Sequence, residues 1–219
     1  MKEFAIIFDM DGVIVDNHLY HRKAIDLFFK KFNISFTDEQ LKKHVWGRTN
    51  HDFMRYAFGT DLSWEETHKL SEEKEALYRK IYEKNIVPLK GLKEFLKSIQ
   101  KNGIKRAVAT SGCSSNVNFV LEKTGIKDFF EIVVDETMVE TGKPSPEVYF
   151  KTATKLDTEP SRCVVFEDSP SGMKAAKTAG MKVVGVLTEL SKEEAVDADF
   201  TIKDFSEINL DIIRNKFFK

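Results

Sequence analysis

Asp9-Met10-Asp11-Gly12 stands directly after the apolar run Phe4-Ala5-Ile6-Ile7-Phe8. Side chains two apart in an extended chain point to the same side, so Asp9 and Asp11 can converge on one reacting group. Two like charges that close are costly without a cation, and their hard oxygen donors suit a divalent metal such as Mg2+. Asp and Gly also favour turns, so a plain strand-ending turn is the competing reading of these four residues.

Three further groups of residues bear on that choice. Thr110-Ser111-Gly112 follows Arg106-Ala107-Val108-Ala109; a hydroxyl and free N–H groups at a strand end hold phosphate oxygens, although such a turn also caps helices. Gly142-Lys143-Pro144-Ser145-Pro146 places a lysine in a backbone restricted by proline. A lysine held there offsets carboxylate repulsion and pairs with a transferring phosphoryl group, while an ordinary solvated lysine is the plainer reading. Phe166-Glu167-Asp168-Ser169-Pro170 ends another apolar run. Helix capping explains Ser169 and Pro170 but not Glu167 and Asp168, which favour a metal site shared with the first aspartates.

The elements that must position these residues alternate. Residues 4–8, 105–110, 131–135, 162–166, 182–187 and 199–202 read as strands. Helical spacing appears over 91–102, 116–124, 146–155, 169–179 and 208–217. Such alternation predicts an α/β fold with a doubly wound parallel sheet, whose ligands bind beyond the carboxyl ends of the strands. Residues 16–88 break the pattern: Ala24, Ile25, Leu27 and Phe28, then Leu41 and Val45, have helical spacing and no strand-like run appears. The expected organisation is a core of 1–15 and 89–219 with a helical insertion at 16–88, and hinges where the chain crosses.

Composition narrows the partners. The 219 residues carry 35 acidic and 34 basic side chains, net −1, which leaves no electrostatic footprint for nucleic acid or an anionic membrane. No apolar stretch reaches transmembrane length and no signal-peptide pattern opens the chain. Cys113 and Cys163 do not make a disulfide framework, and reduced thiols are the simpler reading. A cytoplasmic monomer acting on a small molecule is expected.

Taken together and in this order, Asp9-x-Asp11-Gly12, Thr110, Lys143-Pro144 and Glu167-Asp168 resemble the haloacid dehalogenase superfamily over nearly the whole chain, and the insertion sits where that family places a helical cap. The resemblance implies a Rossmann-like core and hydrolysis of a small phosphorylated metabolite, such as a sugar phosphate. It makes Asp9 the nucleophile that becomes an aspartyl-phosphate, and Asp11 the acid and then the base. Thr110, with Ser111 and Gly112, would bind phosphoryl oxygens and Lys143 would balance charge. Mg2+ would be held by Asp9, the main-chain carbonyl of Asp11, Asp168 and Glu167. Within the superfamily the β-phosphoglucomutase group is similar: His21 follows the aspartate motif at that group's spacing, and Gly47-Arg48 resembles its phosphate-gripping cap loop.

Departures from that group favour a hydrolase over a mutase. Asn17 replaces its threonine, Ile25 its cap tryptophan, and Gly112-Cys113-Ser114-Ser115 lacks the lysine that holds a second phosphate. A phosphomutase or a pyrophosphatase is the alternative. Response-regulator receivers share the sheet, the acidic cluster, the Thr and the Lys, but place the phosphate acceptor on a middle strand and need no cap.

Overall fold

A computed structural model describes residues 4–46 and 48–218; Gly47 lies outside the described residues. Six strands, β1 (Ala5–Phe8), β2 (Lys105–Ala109), β3 (Ile132–Val134), β4 (Cys163–Glu167), β5 (Lys182–Val186) and β6 (Phe200–Ile202), form one parallel sheet in the order β3-β2-β1-β4-β5-β6. The chain runs outward through β2 and β3, then returns to the other side of β1 to begin β4. The strand order therefore reverses between β1 and β4, the position at which open α/β sheets bind ligands.

The strands read as continuous apolar runs because both faces are covered. Ile6, Phe8, Val108, Val164, Phe166 and Val184 turn to one face, packed with residues of α5 (Leu92–Lys101), α6 (Ser114–Thr124) and α9 (Leu210–Phe217). Ala5, Ile7, Ala107, Ala109, Val165 and Val183 turn to the other, against α7 (Glu147–Lys155) and α8 (Pro170–Thr178). Phe8 and Phe166, paired across β1 and β4, stack with centroids 5.2 Å apart. Each such side chain contributes about 1.5–3 kcal/mol on burial, which anchors the strands whose ends carry the acidic residues.

Between β1 and α5 come four helices: α1 (His18–Lys30), α2 (Asp38–His44), α3 (Asn50–Phe58) and α4 (Trp64–Tyr82). Thr37 with Gln40 and Ser63 with Glu66 form capping boxes that start α2 and α4. This segment has its own core, built from Ile25, Phe28, Phe29, Leu41, Val45, Phe53 and Met54. The helical insertion is as expected, but its register differs in one place: Leu27 is 53% exposed, and Phe29 takes the inward position. Ala24, Ile25, Phe28 and Phe29 lie at the i, i+1, i+4, i+5 spacing of one face, which Leu27 does not share.

The two chain crossings lie side by side. Val15 and Pro88 form an antiparallel bridge, and the Leu89 N–H donates to the Ile14 carbonyl at 2.8 Å. Cys113 and Cys163 are free and buried. Among the described residues no helix is long and apolar enough to cross a membrane.

Candidate active site

The sheet delivers the acidic residues to one edge. Asp9 directly follows β1, and its N–H donates to the Phe166 carbonyl at 3.0 Å, which continues the β1–β4 register by one residue. Glu167 closes β4 and Asp168 follows it. Thr110 follows β2, anchored by its N–H to the Val134 carbonyl at 3.0 Å. Lys143 arrives from the loop between β3 and α7, and its side chain is fully enclosed.

Lys143 is the hub of the buried charges. Its Nζ donates to Asp9 Oδ1 at 2.5 Å and to Glu167 Oε1 at 2.6 Å. Glu167 Oε1 also accepts from the Tyr149 hydroxyl at 3.0 Å, while Oε2 accepts from the N–H and hydroxyl of Ser169 at 2.8 and 3.0 Å. Both Glu167 oxygens thus carry two protein donors. Gly172 makes the space: a Cβ there would fall 1.6 Å from Glu167 Oε1. Ser169 caps α8 with Pro170 at its first position, as the sequence indicated, and at the same time serves Glu167.

Asp9, Glu167 and Asp168 each place one carboxylate oxygen within 4.8 Å of the others, all three buried. Burial pushes Asp9 well above the ordinary carboxylate range; Lys143 opposes this, and Glu167, Asp168 and Asp11 add to it. Asp168 is pushed up to about 6 by burial, against the hydrogen bond and charge of His18. Three crowded carboxylates facing one lysine, all with oxygen donors, are a donor set suited to a hard divalent cation.

Asp11 has a different environment. It is half-buried, and Asn17 Nδ2 donates to its Oδ1 at 2.6 Å while also meeting the Tyr78 hydroxyl at 2.6 Å. His21 Nε2 lies 3.6 Å from the same oxygen, with its ring stacked on Tyr78 at 3.8 Å between centroids. Burial works to raise Asp11, but the His21 and Asn17 contacts and the His18 charge outweigh it, so Asp11 sits below its ordinary value. The two aspartates of one motif are therefore driven in opposite directions.

His18, which the sequence did not single out, opens α1 and places Nε2 2.8 Å from Asp168 Oδ2. Burial lowers its pKa, but the Asp168 hydrogen bond and charge dominate and bring it to about 9. Gly12 permits this approach. Its φ of +73° is left-handed, and a Cβ would lie 2.0 Å from Asp168 Oδ2 and 2.9 Å from His18 Nε2.

Asp9, Asp11, His21, Arg48, Thr110, Ser111, Gly112, Lys143 and Asp168 all line one cavity beneath the cap, of about 90 Å³, which is room for several waters. Glu167 does not line it. Thr110 Oγ1 accepts the Gly112 N–H at 3.0 Å, and α6 begins only after Cys113, without a side-chain cap, so helix capping is not what this turn does. Arg48 is exposed at the rim. A wider groove of about 460 Å³ adjoins the cavity and shares His18, Trp46, Arg48 and Asp168 with it.

The cap contributes residues that periodicity could not reveal. The buried face of α4 is Thr67, Ser71, Lys74, Glu75, Tyr78 and Tyr82, a helical stripe made largely of polar side chains. Lys74 and Glu75 line the cavity, with Asn116 of α6 opposite. Leu70, Leu77, Tyr78, Ile81 and Tyr82 have helical spacing and mark the inward side of α4, but nothing in the local pattern shows that the charged Lys74 and Glu75 are buried there too.

Residues 6–186 match the family model described as "Haloacid dehalogenase-like hydrolase". Over 222 residues the chain is 28% identical to "Beta-phosphoglucomutase" of Bacillus subtilis, covering 97% of this chain and 95% of that protein. It is 31% identical over 197 residues to "Phosphorylated carbohydrates phosphatase" of Thermotoga maritima, covering 88% and 89%. The crystal structure of beta-phosphoglucomutase from Clostridium difficile superposes with a TM-score of 0.87 at 26% identity, covering 98% of this chain and 97% of that one.

Proposed function

This chain belongs to the haloacid dehalogenase-like hydrolases, and from that premise we propose that it is a Mg2+-dependent phosphatase of a small sugar phosphate. The observation that carries the reading is the unequal pair Asp9 and Asp11 on one cavity: the first is held by Lys143, the second by Asn17 and His21. Different environments for two neighbouring carboxylates are how one site divides nucleophilic from acid–base work.

In this reading Lys143 occupies Asp9 Oδ1 and the other carboxylate oxygen attacks phosphorus. The bond from phosphorus to the leaving alcohol breaks as the Asp9–phosphorus bond forms, and Asp11 gives its proton to the departing oxygen. Water then attacks the aspartyl-phosphate, Asp11 takes the water's proton, and Asp9 is released with inorganic phosphate. Splitting the reaction makes two easier displacements. Asp11 is ionised in the free protein, the form required for the second step; an arriving phosphate's negative charge favours the protonated form required for the first.

Thr110, whose oxygen already accepts from Gly112, keeps its hydroxyl proton for a phosphoryl oxygen, and Ser111 stands beside it on the cavity wall. Asp9, Asp168 and the main-chain carbonyl of Asp11 would hold Mg2+, which supplies positive charge against the phosphoryl oxygens when bound. Glu167, whose oxygens meet Lys143, Tyr149 and Ser169, holds Lys143 in place and completes the acidic cluster that would take the ion with Asp9 and Asp168. Arg48 at the rim and His21 beside Asp11 are the cap residues we assign to the substrate.

The sugar phosphate is supported by the Thermotoga maritima relative, whose name is a phosphatase of phosphorylated carbohydrates. Phosphomutase is the second reading, supported by the likeness to two beta-phosphoglucomutases. Phosphate release from a panel of sugar phosphates with Mg2+ tests the first. The panel includes β-glucose 1-phosphate with a glucose 1,6-bisphosphate primer. Steady phosphate release supports the phosphatase, isomerisation without release supports the mutase, and a single stoichiometric phosphorylation overturns both. Pyrophosphate belongs in the same panel.

A further inference from the structure

We propose that Glu75 sets the cavity against a second phosphate, so that the substrate is the monophosphate of a neutral polyol and not a bisphosphate. This inference rests on the phosphatase reading and names the substrate class of the same site. Glu75 is 2% exposed, yet it stands on the cavity wall beside Lys74, both presented by α4. Its Oε1 pairs with Lys74 Nζ at 2.5 Å and its Oε2 accepts from Asn116 Nδ2 at 2.7 Å.

One imidazole ring separates Glu75 from the proton-handling carboxylate. His21 puts Nε2 3.6 Å from Asp11 Oδ1 and Nδ1 3.9 Å from Glu75 Oε2. In the phosphatase reading Asp11 serves the oxygen that links phosphorus to the leaving group, and we place the rest of that group on the Glu75 side of His21. Burial works to raise the Glu75 pKa, but the charges of Lys74 and His21 and the hydrogen bonds of Lys74 and Asn116 outweigh it. The carboxylate is ionised.

Lys74 is the buried cation on this wall and Glu75 already neutralises it, while Arg48 lines the same cavity only at its exposed rim. Lys143 is likewise committed to Asp9 and Glu167. A second phosphate would place two negative charges against Glu75 and break its two buried hydrogen bonds, and an uncompensated buried charge is strongly unfavourable. A hydroxyl meets instead a wall with donors on Lys74 and Asn116 and an acceptor on Glu75, which suits a group that both gives and takes a hydrogen bond. The same wall separates this site from a phosphomutase, which must accept the bisphosphate form of its own substrate.

The test is competition against Mg2+-dependent hydrolysis of para-nitrophenyl phosphate by fructose 1-phosphate and by fructose 1,6-bisphosphate. It is run on the wild type, Glu75→Gln and Lys74→Gln. In the wild type the monophosphate should inhibit at least about tenfold more tightly than the bisphosphate. Glu75→Gln releases Lys74 and should narrow or invert that ratio; Lys74→Gln leaves the carboxylate uncompensated and should widen it. Opposite shifts from neighbouring positions do not arise from a shared loss of folding. A wild type that prefers the bisphosphate, or a ratio unmoved by Glu75→Gln, overturns the role of Glu75 alone. A protein that hydrolyses no para-nitrophenyl phosphate overturns the phosphatase reading and this inference with it.

Discussion

Glu167 accepts a hydrogen bond from Lys143 at 2.6 Å in a place closed to solvent, and this pair presents the lysine to Asp9. The carboxylate does for Lys143 what a rigid backbone alone cannot: it fixes the ammonium of a long, flexible side chain. Removing the lysine takes the cation from Asp9 and Glu167 and leaves His18, beside Asp168, as the one cation among the described residues paired with the three crowded carboxylates. Lys143→Met is therefore expected to abolish turnover and to cost about 3–5 kcal/mol of stability, the range for breaking a buried pair. Added Mg2+ should raise the Tm of this variant more than that of the wild type. Thermal melts with and without Mg2+ check both; an equal rise would overturn the larger gain expected of the variant, and no rise in either protein would mean that the cluster does not take the ion.

Asp9→Asn is a gentler change. It removes one of the crowded carboxylates and leaves Lys143 paired with Glu167. The expected result is no turnover with a melting temperature close to that of the wild type, a difference within about 1 kcal/mol. Phosphate release and a thermal melt on the same preparation decide it, and residual steady turnover would remove the covalent step on Asp9.

Glu136 links the core to the cap by accepting the Asn50 N–H at 3.2 Å at the start of α3. Burial and the nearby Glu75 charge push it up from an ordinary 4.5 to about 7, against the Asn50 hydrogen bonds and Lys74. Below pH 4.5 both folded and unfolded chains hold this proton, so there is no penalty. As pH rises to 7 the unfolded chain releases it first, and the contribution to stability is lost. Glu136→Gln should therefore raise stability at pH 8 by about 1–3 kcal/mol and leave it nearly unchanged at pH 4.5. Tm measured across pH for both proteins gives the answer; a constant offset at all pH values would exclude the titration.

Arg48 sits on the exposed rim shared by the cavity and the wider groove. A residue there contacts the part of a substrate that extends beyond the reacting phosphate. Arg48→Ala is expected to raise KM for sugar phosphates by roughly tenfold, with a smaller effect on para-nitrophenyl phosphate. Equal effects on the two substrates would take Arg48 out of substrate recognition.

Local pattern was enough for the core and its strand ends. Runs such as Phe4–Phe8 and Cys163–Phe166 are apolar because both faces of a parallel sheet are buried, so strand and strand end are both visible in a single stretch of chain. A helical insertion after the first strand could likewise be read from the spacing of Ala24, Ile25 and Phe28. The partners of the acidic residues could not. His18 meets Asp168 across 150 positions, Tyr78 meets Asn17 across 61, and Glu75 meets Asn116 across 41. Those contacts exist only when α4 and the start of α1 pack over the sheet edge, and α4 buries the charged Lys74 and Glu75 on its inward side, which no local pattern marks. Even the difference between Asp9 and Asp11 is tertiary. Identical side chains two residues apart are driven in opposite directions, one by burial in an acidic cluster, the other by an asparagine and a histidine from the cap. Chemical identity was written along the chain, while charge state and substrate preference depend on low-dielectric surroundings that distant segments build together.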